Sequence, residues 1–427
     1  MRTKWSDFPE LLPLWISVYI DILGYSLLLP FMPFFMEQYH STPLVIGLLL
    51  ATNALFGFFS GPILGKWSDQ YGRKPLLLIC QMGSLSAFLM LAFSNSLEML
   101  FLSRIIDGIF GGIYPITKAV IADIVPPQQR SKQMTNLGLG HTLASLLGPG
   151  IGGLLAPWGI IAPGLFASGL TIITFIITLV WFQESNPLIL AHMKQKLKEQ
   201  ASDSPQTKAN SPTNSDKPYY QNSKQASNTI WKDAQFQFLI AQWLFHTLAF
   251  SIYMSMISMF AYLEFGVDEE RISLILMIGG AVRLIIRLFF FMPVLNRLGE
   301  KKTAILGLFI FVLVFFLLSF IDNEVQFILI LVAVSFAASC ARGVLNAFLS
   351  RVVSPKEQGK AMGASTSMDN FAQIVGPIIG GFFLGSLNSF WYGMLLAGLS
   401  ILPLLMSFKS LTFHGESQLK VEKNLDE

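Results

Sequence analysis

Twelve runs of mostly apolar residues, each long enough to cross a hydrocarbon layer, leave this 427-residue chain few ways to fold. A layer about 30 Å thick needs about 20 residues of helix. On that basis the spans fall at 11–36, 44–65, 75–94, 98–123, 134–156, 160–182, 233–262, 271–293, 303–321, 325–351, 364–386 and 389–408. Composition agrees, with 53% hydrophobic residues, 13% charged and a mean hydropathy of +0.56. A soluble domain carries about 25% charged residues. The predicted fold class is an all-α integral membrane protein with twelve transmembrane helices. Cys80 and Cys340 lie inside apolar runs, where a structural disulfide is not expected. Asp7 and Glu10 follow Arg2 and Lys4 and no small-residue cleavage site comes after them, so the first span is expected to be retained.

Lysine and arginine set the orientation. Connections on one side hold Lys66, Arg73, Lys74, Arg130, Lys132, seven Lys from Lys194 to Lys232, Arg297, Lys301, Lys302, Arg351, Lys356 and Lys360. The opposite side holds only Arg271, among Glu37, Glu98, Asp268, Glu269, Glu270, Asp322 and Glu324. This bias predicts cytoplasmic termini; the expected location is the cell (plasma) membrane. Residues 183–232 are rich in Ser, Asn, Gln and Lys, contain Pro205, Pro212 and Pro218, and cannot bury enough apolar surface to fold alone. The expected organisation is an N-terminal six-helix bundle (1–182), a flexible cytoplasmic linker (183–232) with a short interfacial helix over 192–200, a C-terminal bundle (233–409) and a cytoplasmic tail (410–427).

The two bundles are related. A shift of 228 residues lays Ile121–Pro127 on Leu349–Pro355, Lys132 on Lys360 and Met134 on Met362. The same shift lays Gly148-Pro149-Gly150-Ile151-Gly152-Gly153 on Gly376-Pro377-Ile378-Ile379-Gly380-Gly381. A shift of 227 brings Asp69, Gly72 and Lys74 onto Asn296, Gly299 and Lys301, the second copy keeping few of the charges. Two pseudo-symmetric six-helix halves in parallel orientation follow, with a binding site expected between them near mid-bilayer. The small residues Gly148, Gly152, Gly153, Gly376, Gly380 and Gly381 permit tight helix packing, and Pro149 and Pro377 permit bending.

Between the second and third spans lies Gly65-Lys66-Trp67-Ser68-Asp69-Gln70-Tyr71-Gly72-Arg73-Lys74-Pro75. Gly65 and Gly72 allow close approach and positive φ. Read blandly, the basic residues are anchors at the membrane boundary. The pattern G-x-x-x-D-x-x-G-R-K also resembles the signature loop of major facilitator superfamily transporters. Asp21-Ile22-Leu23-Gly24 with Pro30-Phe31-Met32-Pro33, Arg104 with Gly108, and Gly148-Pro149-x-x-Gly152-Gly153 resemble motifs of that family's twelve-helix drug:proton antiporter branch, which includes tetracycline efflux pumps. Ala144 stands where the last motif usually has Gly. The resemblance implies that Asp69 sits against the amino end of the eleventh helix, favoured by its dipole, and that Arg73 pairs with Asp123. Gly65, Asp69, Gly72, Arg73, Lys74 and Asp123 are thus the expected gating residues.

Ionisable residues inside spans are expensive and mark function. Those read from the sequence are Asp21, Arg104, Asp107, Lys118, Arg283, Arg287 and Arg342, with His141 and His246. In the family, helices one, four, seven and ten line the cavity. For Asp21, desolvation and a nearby cation act on protonation in opposite senses, so it either exchanges a proton or forms a fixed ion pair. Arg104 and Asp107 are spaced i, i+3 and can pair, structurally or in proton transfer. His141 is read as a satisfied polar group, and His246 as structural or as a pH switch. Arg283 and Arg287, spaced i, i+4, are expected on one face. Five cations against two acids leave an excess of three positive charges, more than a carrier of cations would be expected to hold.

The leading expectation is a secondary active transporter of a small organic molecule, working by alternating access as a proton-coupled exporter. Asp21, Arg104 and Asp107 would handle the proton; Asp21, Tyr25, Tyr114, His246, Arg283, Arg287, Arg342 and Asn346 would contact substrate. The alternative is a carrier of organic anions, or of solutes bearing phosphate or carboxylate, by symport or exchange. A non-transporting sensor would need a folded extra domain that 183–232 does not supply. The expected partners are the substrate and the lipid bilayer, with no nucleic acid, metal or bound cofactor; the proton gradient supplies energy and the chain is expected to be monomeric. No nucleotide loop, nucleophile–base pair or clustered metal ligands point to an enzyme.

Overall fold

The computed structural model describes residues 8, 11–159, 161–186, 189, 230–353 and 357–423. Arg2, Lys4, Asp7, Glu10, the 192–200 segment, Lys356 and most of the linker lie outside the described residues. Helix α1 (Leu12–Leu28) bends by 47° into α2 (Met32–Gln38). There follow α3 (Pro43–Tyr71), α4 (Arg73–Ala92), α5 (Leu97–Ile109), α6 (Ile113–Ile124), α7 (Pro127–Leu155) and α8 (Ile161–Trp181). The second half holds α9 (Ala234–Phe265), α10 (Glu269–Ile285), a π-turn (Ile286–Phe290), α11 (Phe291–Leu318), α12 (Glu324–Val352), α13 (Gln358–Ser386) and α14 (Ser389–Lys423).

Taking α1 with α2, α5 with α6, and α10 through the π-turn with the part of α11 before Gly299, where the helix is broken, gives twelve passes in two sets of six. Eight helices among the described residues are long and apolar enough to cross a membrane by composition, or nine with the bent pair. The count is below twelve for two reasons. Glu269–Leu318 passes as one 50-residue unit, and α7 and α13, loaded with glycine and polar residues, do not pass. Helix starts are locally encoded: Ser96, Asp233, Asp268 and Asn323 accept backbone N–H bonds as N-caps, and Pro43 and Pro127 open α3 and α7.

The halves meet toward the face that carries Glu37, Asp268 and Glu324. A Cβ on Gly47 would strike the Pro377 carbonyl, one on Gly381 the Pro43 carbonyl, one on Gly150 the Met277 sulfur, and one on Gly153 the Ser273 side chain. Tyr262 Oη donates to Glu37 Oε2 at 2.8 Å, and the Tyr262 ring meets Phe34 edge-on at 5.2 Å. The apolar cluster spanning both halves takes Phe31, Phe35, Ile46 and Leu49 from the first and Phe236, Ile252 and Phe260 from the second. Near the basic face, Leu14, Leu64, Leu77 and Val120 form a cluster of first-half residues. Lipid tails are as apolar as leucine, so contact between helices depends on close fit, which the glycines supply. Elsewhere Gly148 is packed on Ser26, Gly152 on Leu27, Gly376 on Ser251 and Gly380 on Met256.

The charged turn is shorter than its composition implies. Helix α3 runs to Tyr71 and α4 begins at Arg73, leaving Gly72 alone (φ 107°, ψ 152°) as the hinge. Gly299 (φ 74°, ψ 166°) breaks the second half in the same way. Only glycine occupies this backbone region readily. Gly65, by contrast, lies inside α3 with open space at its Cα.

Arg73 Nη2 pairs with Asp69 at 2.6 Å and Arg73 Nε with Asp123 at 2.9 Å, inside one half. Among the described residues Asp69 pairs with Arg73, four residues on and within its own half. In the second half the matching pair is Arg351 with Glu300, a bidentate fork at 2.5 and 2.7 Å. Residues 73 and 123 shift onto 300 and 351, so the pair survives with its signs exchanged; the expectation of a largely discharged second copy is corrected. The segment after α8, expected to be linker, closes the first hinge: Glu184 accepts from the N–H groups of Arg73 and Lys74, and the Asn186 amide donates to the carbonyls of Ser68 and Asp69.

Two outcomes follow. Gly72→Ala and Gly299→Ala should each cost about 1–3 kcal/mol in unfolding of the detergent-solubilised protein, with Gly65→Ala near neutral. Arg73→Glu should cost about 3–5 kcal/mol by leaving Asp123 unpaired. The triple change Asp69→Asn, Arg73→Glu, Asp123→Arg copies Asn296, Glu300 and Arg351 and should recover most of that loss by the same measurement.

Candidate functional site

Helix α5 stops at Ile109, and residues 110–112 turn before α6 resumes the pass. In the turn the Gly108 carbonyl accepts from the Gly111 N–H at 3.2 Å and from Ser60 Oγ at 2.8 Å. One turn earlier, Arg104 Nη1 contacts Asp107 Oδ2 at 3.4 Å, and Arg104 is 2% exposed. Asn53 Nδ2 donates to the same oxygen at 2.8 Å, while Arg104 Nη2 is buried without a partner. Asp21, on α1, accepts a long 3.5 Å bond from Ser84 Oγ on α4 and lies within electrostatic reach of Asp107. Tyr25 lies in the field of both Arg104 and Asp107. This first-half cluster therefore holds two carboxylates and one guanidinium.

The second-half cluster has the opposite balance. Arg342 Nη2 donates to Asp369 Oδ2 at 3.2 Å, and Thr247 Oγ1 to Asp369 Oδ1 at 2.7 Å. The Arg342 guanidinium stands 5.6 Å from the ring centres of both Trp243 and Phe250. Arg283 approaches Phe250 at 5.8 Å, and its Nη2 reaches the Met254 sulfur at 3.3 Å. His246 is buried among Trp243, Phe250 and Phe311, with Nε2 unpartnered. Asn346 is partly buried, and its Oδ1 lacks a partner. From the first half, Lys118 Nζ sits 4.4 Å from the centre of the Tyr114 ring, and both groups feel the charge of Asp369. The His141 side chain lies outside the described residues.

Two features depart from the sequence reading. Asp369, absent from that reading, lies in α13 beside Ser365, Thr366 and Ser367. The polar stretch hid it, because an acid there interrupts no apolar run. Counting it, and leaving out Arg287, which is exposed, lowers the positive excess from three to one. Arg283 and Arg287 also part company: the π-turn starting at Ile286 widens the helical repeat, so an i, i+4 spacing no longer keeps one face. Arg283 points into the cluster, whereas Arg287 is exposed. Thr247, Asn53, Ser84 and Phe250 were not singled out, since single polar or aromatic residues in a span carry no pattern.

No group of three or more His, Cys, Asp or Glu able to hold a metal occurs among the described residues. The Major Facilitator Superfamily family model matches residues 14–290 and 238–423. The chain is 26% identical over 379 residues to the tetracycline resistance protein, class H, of Pasteurella multocida, covering 88% of this chain and 89% of that protein. It is 26% identical over 385 residues to multidrug resistance protein 2 of Bacillus subtilis (strain 168), covering 90% of each. The fold matches the human organic anion transporter MFSD10 (TETRAN) with a TM-score of 0.66 at 21% identity, over 93% of this chain and 99% of that one. With two pseudo-symmetric six-helix halves and family matches running through both, this multi-pass membrane protein belongs to the Major Facilitator Superfamily.

Proposed function

We propose that the protein exports a small organic molecule from the cytoplasm in exchange for protons, by alternating access. The observation that carries this reading is the first-half cluster, in which Asp107 pairs with Arg104 while Asp21 lies within electrostatic reach of Asp107 and is held only by the long Ser84 bond among the described residues. Ionised throughout, it bears one uncompensated negative charge in a medium that penalises charge. Uptake of a single proton neutralises it. Asp107 is held by Arg104 and Asn53, whereas Asp21 has only the long Ser84 bond, so Asp21 is the site that takes and releases the proton. Relatives named for tetracycline and multidrug resistance support outward movement of foreign compounds.

The basic face lies in the cytoplasm, with both termini, and the membrane is the cell's plasma membrane. Joining of the halves at the opposite face supports a state open to the cytoplasm, ready to load substrate. The Asp69–Arg73–Asp123 and Glu300–Arg351 groups stiffen the two hinges that approach one another when this side closes. One chain contains the whole path, no bound cofactor is needed, and the proton gradient drives the cycle. In proteoliposomes, Asp21→Asn should abolish gradient-driven export while exchange of substrate for substrate continues. Export at the parental rate in that variant would refute the proton role.

A further inference from the structure

We infer that the second half carries an anion subsite centred on Arg283, and that the transported molecule presents a carboxylate or similar oxyanion to it beside a flat aromatic part. The inference takes from the export reading only that substrate enters the space between the halves.

Among the described residues, the three arginines of the central clusters are provided for unequally. Arg104 has Asp107 and Arg342 has Asp369. Arg283 has no carboxylate: Nη2 reaches a thioether, a weak acceptor, and Nε is buried with no acceptor at all. Asp369 is engaged by Arg342 through one oxygen and by Thr247 through the other, and its recorded ion pair is with Arg342, not Arg283. The Tyr253 hydroxyl lies in the field of Arg283, is fully buried and is likewise unpartnered, which makes it a second available donor.

A guanidinium left without an anion at this depth is costly, so an arriving anion gains where a neutral molecule does not. Arg pairs carboxylates through two parallel N–H bonds, and the Nε edge of Arg283 has no acceptor of its own. The Phe250 ring, within 6 Å of both Arg283 and Arg342, supplies an apolar surface beside the charge. A cation placed on Phe250 would meet two guanidiniums.

The test uses full-length protein purified in detergent, without a proton gradient, and three probes of matched shape: 2-naphthoate, 2-naphthamide and 2-naphthylmethylammonium. Calorimetric titration should show naphthoate binding at least about tenfold tighter than the other two, tenfold being about 1.4 kcal/mol and within the range of one charge-assisted hydrogen bond. Arg283→Gln should remove that preference, and Arg283→Lys should retain part of it as a point charge. Met254→Glu places a carboxylate where the thioether now meets Arg283; it should raise the melting temperature and abolish naphthoate binding. If Arg283→Gln does not fold, Met254→Glu and Arg283→Lys decide. Equal or tighter binding of the ammonium probe, no binding by any of the three, or unchanged naphthoate affinity in the folded variants would overturn the inference. Because no gradient is present, failure of proton-driven export leaves this result standing, and loss of the naphthoate preference leaves proton coupling standing.

Discussion

Hydrocarbon offers backbone amides no hydrogen-bond partner, so a chain that crosses it must satisfy them internally. That constraint decides where this chain remains helical and where it is allowed to stop. Helices α3, α7 and α13 continue well past their apolar runs, since the polar ends lose nothing by extending the ladder of backbone bonds. The interruptions are few and each is compensated. Ser60 adds a bond to the Gly108 carbonyl in the turn after α5, and Glu184 takes the N–H groups exposed after Gly72. The π-turn at Ile286 keeps the helix continuous while redirecting the side chains that follow it.

The same medium penalises charge, and the two halves meet that penalty differently. The first half gathers two acids around one arginine, a set that one proton balances. The second gathers two arginines around one acid, a set that one anion balances. The field of Asp369 also reaches Lys118 and Tyr114 of the first half. On the function proposed above, proton and substrate have separate places, one in each half.

Much of the fold was legible in the sequence because lipid writes its demands into composition. Span positions followed from apolar length, and the repeat from glycine and proline at a constant offset. Helix ends were not legible, since residues such as Ser68 and Gln358 are helical without being apolar. Residues 183–186 read as linker because Glu184 and Asn186 act through backbone contacts that composition does not register. The Glu300–Arg351 pair escaped because a search for repeated residues looks for identity, and here the interaction is kept while the identities are reversed. At the candidate site, buried charges stood out against apolar runs, whereas Asp369 among serines did not. Which of those charges has a partner was visible only in three dimensions.

The glycine contacts that join the halves at one face give the molecule a lever. Helix α3 has 29 residues, about 43 Å at 1.5 Å per residue, and its contact with Pro377 falls at Gly47, near one end. A rotation of about 10° at that contact carries the far end, with Asp69 and its hinge, through about 6 Å. The glycine surface itself moves by a small fraction of that distance. Close packing at the fulcrum and a large displacement at the basic face therefore do not compete, and rearrangements of less than a side chain's width near Gly47 are enough to carry the opposite end through about 6 Å.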